Sequence, residues 1–420
     1  MTENGFSNYI TDICRKAKIS SRVLANLSTN ERNSILFNIA KNIRNKADFI
    51  IEENKKDILI ADDKGVTKAM RDRLLLNSER LEGMASSVED IAKLEDPVGR
   101  VESMSVRPSG IKVGQMRVPI GVIAVIFESR PNVTTDIAAL ALKSGNSAIL
   151  RGGKESINSN KALYSVIKEA ILGSKCPEDA VIMITKTEHD IVTLLLKKNH
   201  YIDIVIPRGG ENLIRMVTEE STIPVIKHDK GVCHTFIDES ASTEMAQNIS
   251  VNAKVQRPGV CNAMETLLIH KNFPDKIKVL EALLEKGVEL RVCQRTLDLM
   301  PGRLKQATEN DWAEEYLDLI LSVKIIDDID EAINHIHKYG SGHSEAIVTS
   351  DYTNSERFLR EVDSSAVFVN SSTRFHDGGE FGLGAEVGIS TQKLHARGTM
   401  GILGLTCLKY VVYGNGQVRN

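Results

Sequence analysis

A cysteine in the run Gln256-Arg257-Pro258-Gly259-Val260-Cys261-Asn262-Ala263 has the setting of a nucleophile. The preceding Glu244–Lys254 segment reads as a helix, and Pro258-Gly259 forbids its continuation, so Cys261 falls on a turn. The apolar Glu265–His270 run reads as a buried strand, which places the thiol at the mouth of a rigid element, both fixed and reachable. A small core cysteine is the commoner fate of a free thiol, and the local pattern leaves both roles open.

Two other turns combine glycines with cations at the ends of apolar runs. Arg151-Gly152-Gly153-Lys154 follows Ala148–Leu150, and Pro207-Arg208-Gly209-Gly210 follows Ile202–Ile206. Backbone N–H groups at the carboxyl end of a strand can face phosphate. Tight turns with solvated bases are the alternative; two such turns in one layout favour a dinucleotide. Neither is Gly-x-Gly-x-x-Gly or a Walker loop. Gly382–Gly388 offers a superficial Gly-x-Gly far from any first strand–turn–helix unit, and reads as a substrate-side or interdomain loop. In Glu128-Ser129-Arg130-Pro131-Asn132-Val133 a proline-fixed loop can aim the Asn132 amide into a cleft as an oxyanion donor. The alternative is helix capping by Asn132 or Thr134.

Other chemistries are disfavoured. The ten histidines include no His-Glu-x-x-His, His335 and His337 cannot share a helix face, and no Cys-x-x-Cys occurs, so no metal site is expected. There is no Gly-x-Ser-x-Gly elbow. A net charge of -3, with both signs spread along the chain, leaves no basic stripe for nucleic acid and no polybasic membrane anchor. No apolar run approaches the ~18 residues of a membrane-spanning helix, and Met1–Ala17 lacks a signal peptide's apolar core, which predicts a cytoplasmic protein with reduced thiols.

These residues need elements to hold them. Residues 1 to about 100 read as charged helices, with Ile35, Leu36 and Ile39 on one face. Gly110–Val118 and Leu408–Gly414 alternate as ribbons whose edges could pair with another subunit, or form a partnerless surface hairpin. From Gly121 strands and helices alternate, which predicts parallel crossovers and a doubly wound nucleotide-binding layout up to the helix at Glu211. A second series runs from Thr235 to Val369. The expected organisation is two α/β domains, a cofactor-binding domain over 1–230 (with 105–118 in the ribbon) and a catalytic domain over 231–400, with 401–420 completing the ribbon.

Several ordered segments carry a family resemblance: Phe127–Asn132, Leu150–Glu155, Pro207–Gly210, Gln256–Asn262, Ser372–Phe375 with Asp377–Glu386, and Lys393–Gly398. Over nearly its whole length the chain resembles the glutamyl-phosphate-reducing branch of the aldehyde dehydrogenase superfamily. The resemblance implies an aldehyde dehydrogenase-like α/β fold with two doubly wound domains and a small β-ribbon oligomerisation element. It implies NADPH-dependent reduction of L-glutamyl 5-phosphate to glutamate 5-semialdehyde and phosphate, the second step from glutamate to proline. Cys261 takes the nucleophile position and Asn132 that of the oxyanion amide. Glu315 matches the glutamate that holds the nicotinamide ribose, Arg151 and Lys154 lie near the adenosine ribose and its 2′-phosphate, and Arg208, Gly209 and Gly210 belong to the cofactor site. Arg257, Arg374 and Arg397 are natural partners for the substrate's phosphate and carboxylate. A homo-oligomer is implied. The lability of the acyl phosphate gives a reason for transient contact with a glutamate 5-kinase, which is expected to be a separate chain.

Hydrolytic aldehyde dehydrogenases carry a water-activating glutamate where this chain has Lys227-His228-Asp229-Lys230-Gly231. Loss of that base suits an enzyme that must protect a thioester from water. Thr399 in place of proline and Ser371 in place of alanine depart from the reductase pattern and bear on local loop geometry alone.

Overall fold

The computed structural model describes residues 3–227 and 230–419. They form two compact units, the first built from residues up to Lys227 with Gly382–Gly388 and the segment from Thr399 onward, the second from the remainder up to Phe381 and Ile389–Gly398.

The first unit opens with five helices, α1 (Glu3–Leu24), α2 (Thr29–Asn45), α3 (Ala47–Asp63), α4 (Lys68–Leu74) and α5 (Ser78–Lys93). A capping box between Ser28 and Glu31 starts α2. Strands β1 (Val101–Val106) and β2 (Lys112–Pro119) follow, then β3 (Val122–Phe127), α6 (Asn132–Lys143), β4 (Ser147–Gly152), α7 (Ile157–Ile171), β5 (Val181–Met183), α8 (His189–Leu196), β6 (Ile204–Arg208) and α9 (Glu211–Glu220). The four core strands form a parallel sheet in the order β5-β4-β3-β6. The chain winds from β3 outward to β5 and then returns to the far side of β3. The loops after β3 and β6 therefore flank a topological switch point, where open α/β sheets bind ligands. Alternate β3 residues Val122, Ala124 and Ile126 pack with Ile10, Ile13 and Ala17 of α1 and Ile191 and Leu195 of α8. Burial on both faces explains why β3 reads as an unbroken apolar run.

The second unit contains β7 (Cys233–Ile237), α10 (Thr243–Val255), β8 (Met264–His270), α11 (Lys276–Glu285), β9 (Glu289–Val292), α12 (Gln294–Leu297), β10 (Lys305–Gln306), β11 (Ile320–Ile326), α13 (Ile329–Tyr339), β12 (Ser344–Val348), α14 (Tyr352–Glu361) and β13 (Ala366–Val369). Its seven strands are parallel in the order β10-β9-β11-β8-β7-β12-β13. Leu267 and Ile269 of β8 pack with α10 and α11. Leu268, between them, packs on the opposite face with α13 and Phe358 of α14.

Strands β14 (Gly388–Ser390) and β15 (Gly398–Met400) carry the chain out of the first unit and back. The last strand, β16 (Thr406–Tyr413), pairs antiparallel with β2, which pairs with β1, to make a three-stranded ribbon. Among the described residues no helix is long and apolar enough to cross a membrane.

Candidate active site

Cys261 is half-buried on the turn between α10 and β8, at the amino edge of the seven-stranded sheet. The Cys233 thiol, at the start of β7, donates to the Cys261 carbonyl at 3.1 Å. Thr373 Oγ1 donates to the Asn262 carbonyl at 2.7 Å, and Asn262 Nδ2 donates to the His376 carbonyl at 3.0 Å. Arg374 donates to both Gln256 Oε1, at 2.8 Å, and Asn262 Oδ1, spanning Cys261 from the two sides of its turn. The turn is thus fastened by the Ser372–His376 segment, which a sequence cannot place beside it.

Burial pushes the Cys14 and Cys176 thiols up to about 12, and that of Cys233 well above its ordinary value. Such thiols stay protonated and are poor nucleophiles. Cys293 is half-buried beside the Thr296 hydroxyl, and Cys407 is exposed on the ribbon.

Of the three arginines expected at the substrate, Arg257 and Arg374 neighbour each other. Burial and then the neighbouring Arg257 guanidinium push Arg374 below its ordinary pKa, with Asp377 and the Cys261 thiol acting in the other direction. Arg257 is exposed, four positions before the nucleophile. Arg397 is paired: Nη1 donates to Asp363 Oδ1 at 2.8 Å and Nη2 to the Asp363 carbonyl at 2.9 Å, and Lys393 shares the same carboxylate.

Glu315, expected at the nicotinamide ribose, accepts the Gly231 N–H at 2.9 Å. Gly231 in turn lies against the backbone of Cys261. Of the stretch aligned with the water-activating glutamate, His228 and Asp229 lie outside the described residues.

In the first unit, the turns after β3, β4 and β6 form a second group. Lys154 is exposed at the carboxyl end of β4. Arg151 is turned to its own chain, donating to the carbonyls of Gly152 at 3.2 Å and Thr187 at 3.1 Å. Arg208, closing β6, lies 3.6 Å from the Glu386 carboxylate. Gly209 and Gly210 open α9 at the switch point, and the Gly210 N–H donates to Glu128 Oε2 at 2.9 Å. A Cβ on Gly209 would lie 2.5 Å from that same oxygen. A carboxylate of the chain itself thus sits where the sequence suggested a phosphate.

Asn132 is the first residue of α6 and does not cap it; Pro131 holds the cap position without a side-chain bond. Its amide donates to Asp136 Oδ2 at 2.8 Å, one turn on. Thr134 does not cap either, since its hydroxyl donates to Asn160 Oδ1 at 3.1 Å. The i,i+4 spacing of Asn132 and Asp136 was the available signal for this pair.

The turn after β4 fits a nicotinamide dinucleotide, whereas at the turn after β6 the Gly210 N–H is taken by Glu128. Arg151 Nε and Glu155 Oε2 are buried polar atoms without a hydrogen-bond partner among the described residues, and Lys154 adds an exposed cation next to them. Among the described residues no group of three or more His, Cys, Asp or Glu is placed to hold a metal ion.

The sequence model of the aldehyde dehydrogenase family matches residues 3–318. The chain belongs to the aldehyde dehydrogenase family. Enzymes of this family use a nicotinamide cofactor. Within the family, this chain is 53% identical over 407 residues to the gamma-glutamyl phosphate reductase of Caldanaerobacter subterraneus subsp. tengcongensis, covering 96% of this chain and 98% of that one. It is 48% identical over 424 residues to the gamma-glutamyl phosphate reductase of Clostridium tetani, covering 98% and 99%. The solved gamma-glutamyl phosphate reductase of Thermotoga maritima is 44% identical with a TM-score of 0.95, covering 98% of this chain and all of that one. An acetylating aldehyde dehydrogenase from Geobacillus thermoglucosidasius, 17% identical with a TM-score of 0.73, shares the fold. This aldehyde dehydrogenase is therefore an oxidoreductase of the gamma-glutamyl phosphate reductase branch, with the α/β architecture expected from its sequence.

Proposed function

We propose that the chain reduces L-glutamyl 5-phosphate with NADPH to L-glutamate 5-semialdehyde and phosphate, through a thioester on Cys261, as the second step from glutamate to proline. The observation that carries this reading is Arg374, bonded to Gln256 and Asn262 on the fastened turn of a half-buried thiol, with the Arg257 charge neighbouring it. Two neighbouring cations repel each other unless an anion joins them, and an acyl phosphate with its α-carboxylate is such an anion. Arg374 is already bound to Gln256 and Asn262, so Arg257 has the guanidinium more available to the phosphate.

In this reading the Cys261 thiolate attacks the acyl carbon; the S–C bond forms, the C–O bond to phosphate breaks, and phosphate leaves. The Asn132 amide, held in one orientation by Asp136, is assigned to the tetrahedral oxyanion. NADPH, when bound, supplies the hydride that converts the acyl group to the aldehyde level. Release of the aldehyde returns the thiolate of Cys261. Lys154, Arg151 and Arg208 are assigned to the dinucleotide, as is the turn at Gly209-Gly210 where Glu128 would give way, and Glu315 is assigned to its nicotinamide ribose. Val412, Tyr410 and Tyr413 on β16 are exposed and offer an apolar ribbon surface to a second copy of the chain, so a homo-oligomer belongs to this proposal.

The deciding experiment is NADPH formation from glutamate semialdehyde in the reverse direction. It should require phosphate and vanish on thiol alkylation. Equal oxidation with phosphate omitted would identify a hydrolytic or coenzyme A-type aldehyde dehydrogenase and overturn the proposal. Cys261→Ala should fold, bind NADPH and turn over nothing.

A further inference from the structure

Lys254 and Glu265 are both completely buried, and Lys254 Nζ donates to Glu265 Oε2 at 2.6 Å. Lys254 is the penultimate residue of α10 and Glu265 the second residue of β8, so the pair joins the two ends of the turn that carries Cys261. The other oxygen of Glu265 accepts the Leu317 N–H at 3.3 Å. Leu317 is held at φ 53, a conformation that L-residues with bulky side chains rarely adopt. Two residues before it, Glu315 accepts the N–H of Gly231, whose backbone is pressed against that of Cys261. The contacts close a ring: from the Cys261 turn to Gly231, Glu315, Leu317, Glu265, Lys254 and back.

A buried ion pair is a costly route to stability, because desolvating each charge costs several kcal/mol and apolar replacement of both partners is often neutral or stabilising. Burial pushes the Glu265 carboxyl up to about 7 and the Lys254 amine below its ordinary value, each opposed by the partner's charge. A pair kept against that penalty calls for a role beyond filling the core, and its place in the ring supplies one.

We propose that Lys254 and Glu265 are positioning residues for the nucleophile. The ion pair fixes the span of the Cys261 turn, and through the Leu317 N–H it registers the Glu315 segment that presses Gly231 onto Cys261. This rests on the reading of Cys261 as the nucleophile.

The test is the double variant Lys254→Met/Glu265→Leu in the full chain, compared with the wild type in thermal midpoint, kcat, KM and the rate at which iodoacetamide alkylates Cys261, followed by peptide mass. A structural pair replaced by apolar side chains leaves all four close to wild type. Loss of positioning leaves the midpoint near wild type but lowers kcat by about 100-fold. It also speeds alkylation, because the half-buried thiol is no longer enclosed. Wild-type kcat and alkylation in a folded double variant overturn the proposal. If that variant does not fold, Glu265→Gln decides: it keeps an acceptor for Leu317 but loses the charge pair, and wild-type kcat and alkylation in it overturn the proposal, whereas slower turnover with faster alkylation supports it. The alkylation rate judges the positioning role even if Cys261→Ala should retain activity and the nucleophile reading fail.

Discussion

A Cβ on Gly231 would lie 2.0 Å from the carbonyl oxygen of Cys261 and 2.5 Å from its Cα. Both of these atoms are backbone, so no rotamer change can relieve the overlap. Any side chain at 231 must displace either the nucleophile's turn or the segment leading into β7. Gly231→Ala is expected to lower kcat by about 100-fold, the scale set by a displacement near 1 Å at a reacting group. The cores formed by β7 and β8 are not touched, so the thermal midpoint should fall far less than for a core deletion. Steady-state kinetics beside a melting curve checks this, and a fully active Gly231→Ala would show that the close approach has no bearing on catalysis.

The two cations expected at the adenosine end should behave differently. Arg151 is bonded to the carbonyls of Gly152 and Thr187, whereas Lys154 is exposed. Lys154→Ala should raise KM for NADPH roughly tenfold or more, the value of a charge-assisted contact, and leave KM for NADH and the melting point unchanged. Arg151→Ala should instead lower the melting point, since it unties the end of β4 from the loop before α8. An unaltered ratio of kcat/KM for the two cofactors in Lys154→Ala would remove Lys154 from the 2′-phosphate.

The elements themselves were legible because strands buried on both faces must be apolar throughout. Runs such as Val122–Phe127 and Met264–His270 announce themselves, and the helices between them follow from the need for parallel crossovers. Pro258-Gly259 likewise marked the turn that holds Cys261. Strand order was not legible: β11 enters between β8 and β9, and nothing in a crossover's length fixes which neighbour a strand will take. The same blindness hid the contacts of the candidate site. Gly231 with Cys261, Glu265 with Leu317 and Arg374 with Gln256 are brought together by that order and by loops distant in the chain. Arg397 shows the converse, since its charge was evident from the sequence and its partner Asp363 was not.

Asp136 offers a test by pH. Burial is the largest cause pushing its carboxyl up to about 6, with the Asn132 amide and the Arg208 charge pulling the other way. The folded state then holds a proton that the unfolded chain releases near 3.8, so this group favours folding at low pH, and that contribution is lost as pH rises through about 6. Asp136→Asn keeps an acceptor for the Asn132 amide and removes the buried charge. It should be more stable than wild type at pH 8, by at most on the order of 3 kcal/mol, and the two should converge near pH 4. Urea unfolding at several pH values measures the gap, and a gap independent of pH would mean that the carboxyl is not perturbed in the fold.

His335 sets a limit on acid stability. Its ring packs edge-on against Trp312 and His234 and at 4.6 Å from the Tyr339 ring, and neither ring nitrogen has a hydrogen-bond partner among the described residues. Burial is the largest cause holding its pKa down to about 2, and burial also lowers His343, to about 4. Both rings are neutral in the fold and become charged in the unfolded chain below about 6.5. Their contribution is therefore complete above that pH and is lost as it falls toward the folded values. Between pH 6 and pH 4 the two together should steepen the loss of stability toward ~2.7 kcal/mol per pH unit. His335→Phe keeps a ring among the same neighbours and has no proton to take up, so its acid-unfolding midpoint should move to lower pH while stability at pH 8 changes little. Equilibrium unfolding from pH 8 to pH 4 follows this directly, and a variant with the same acid limb as wild type would exclude His335 as its source.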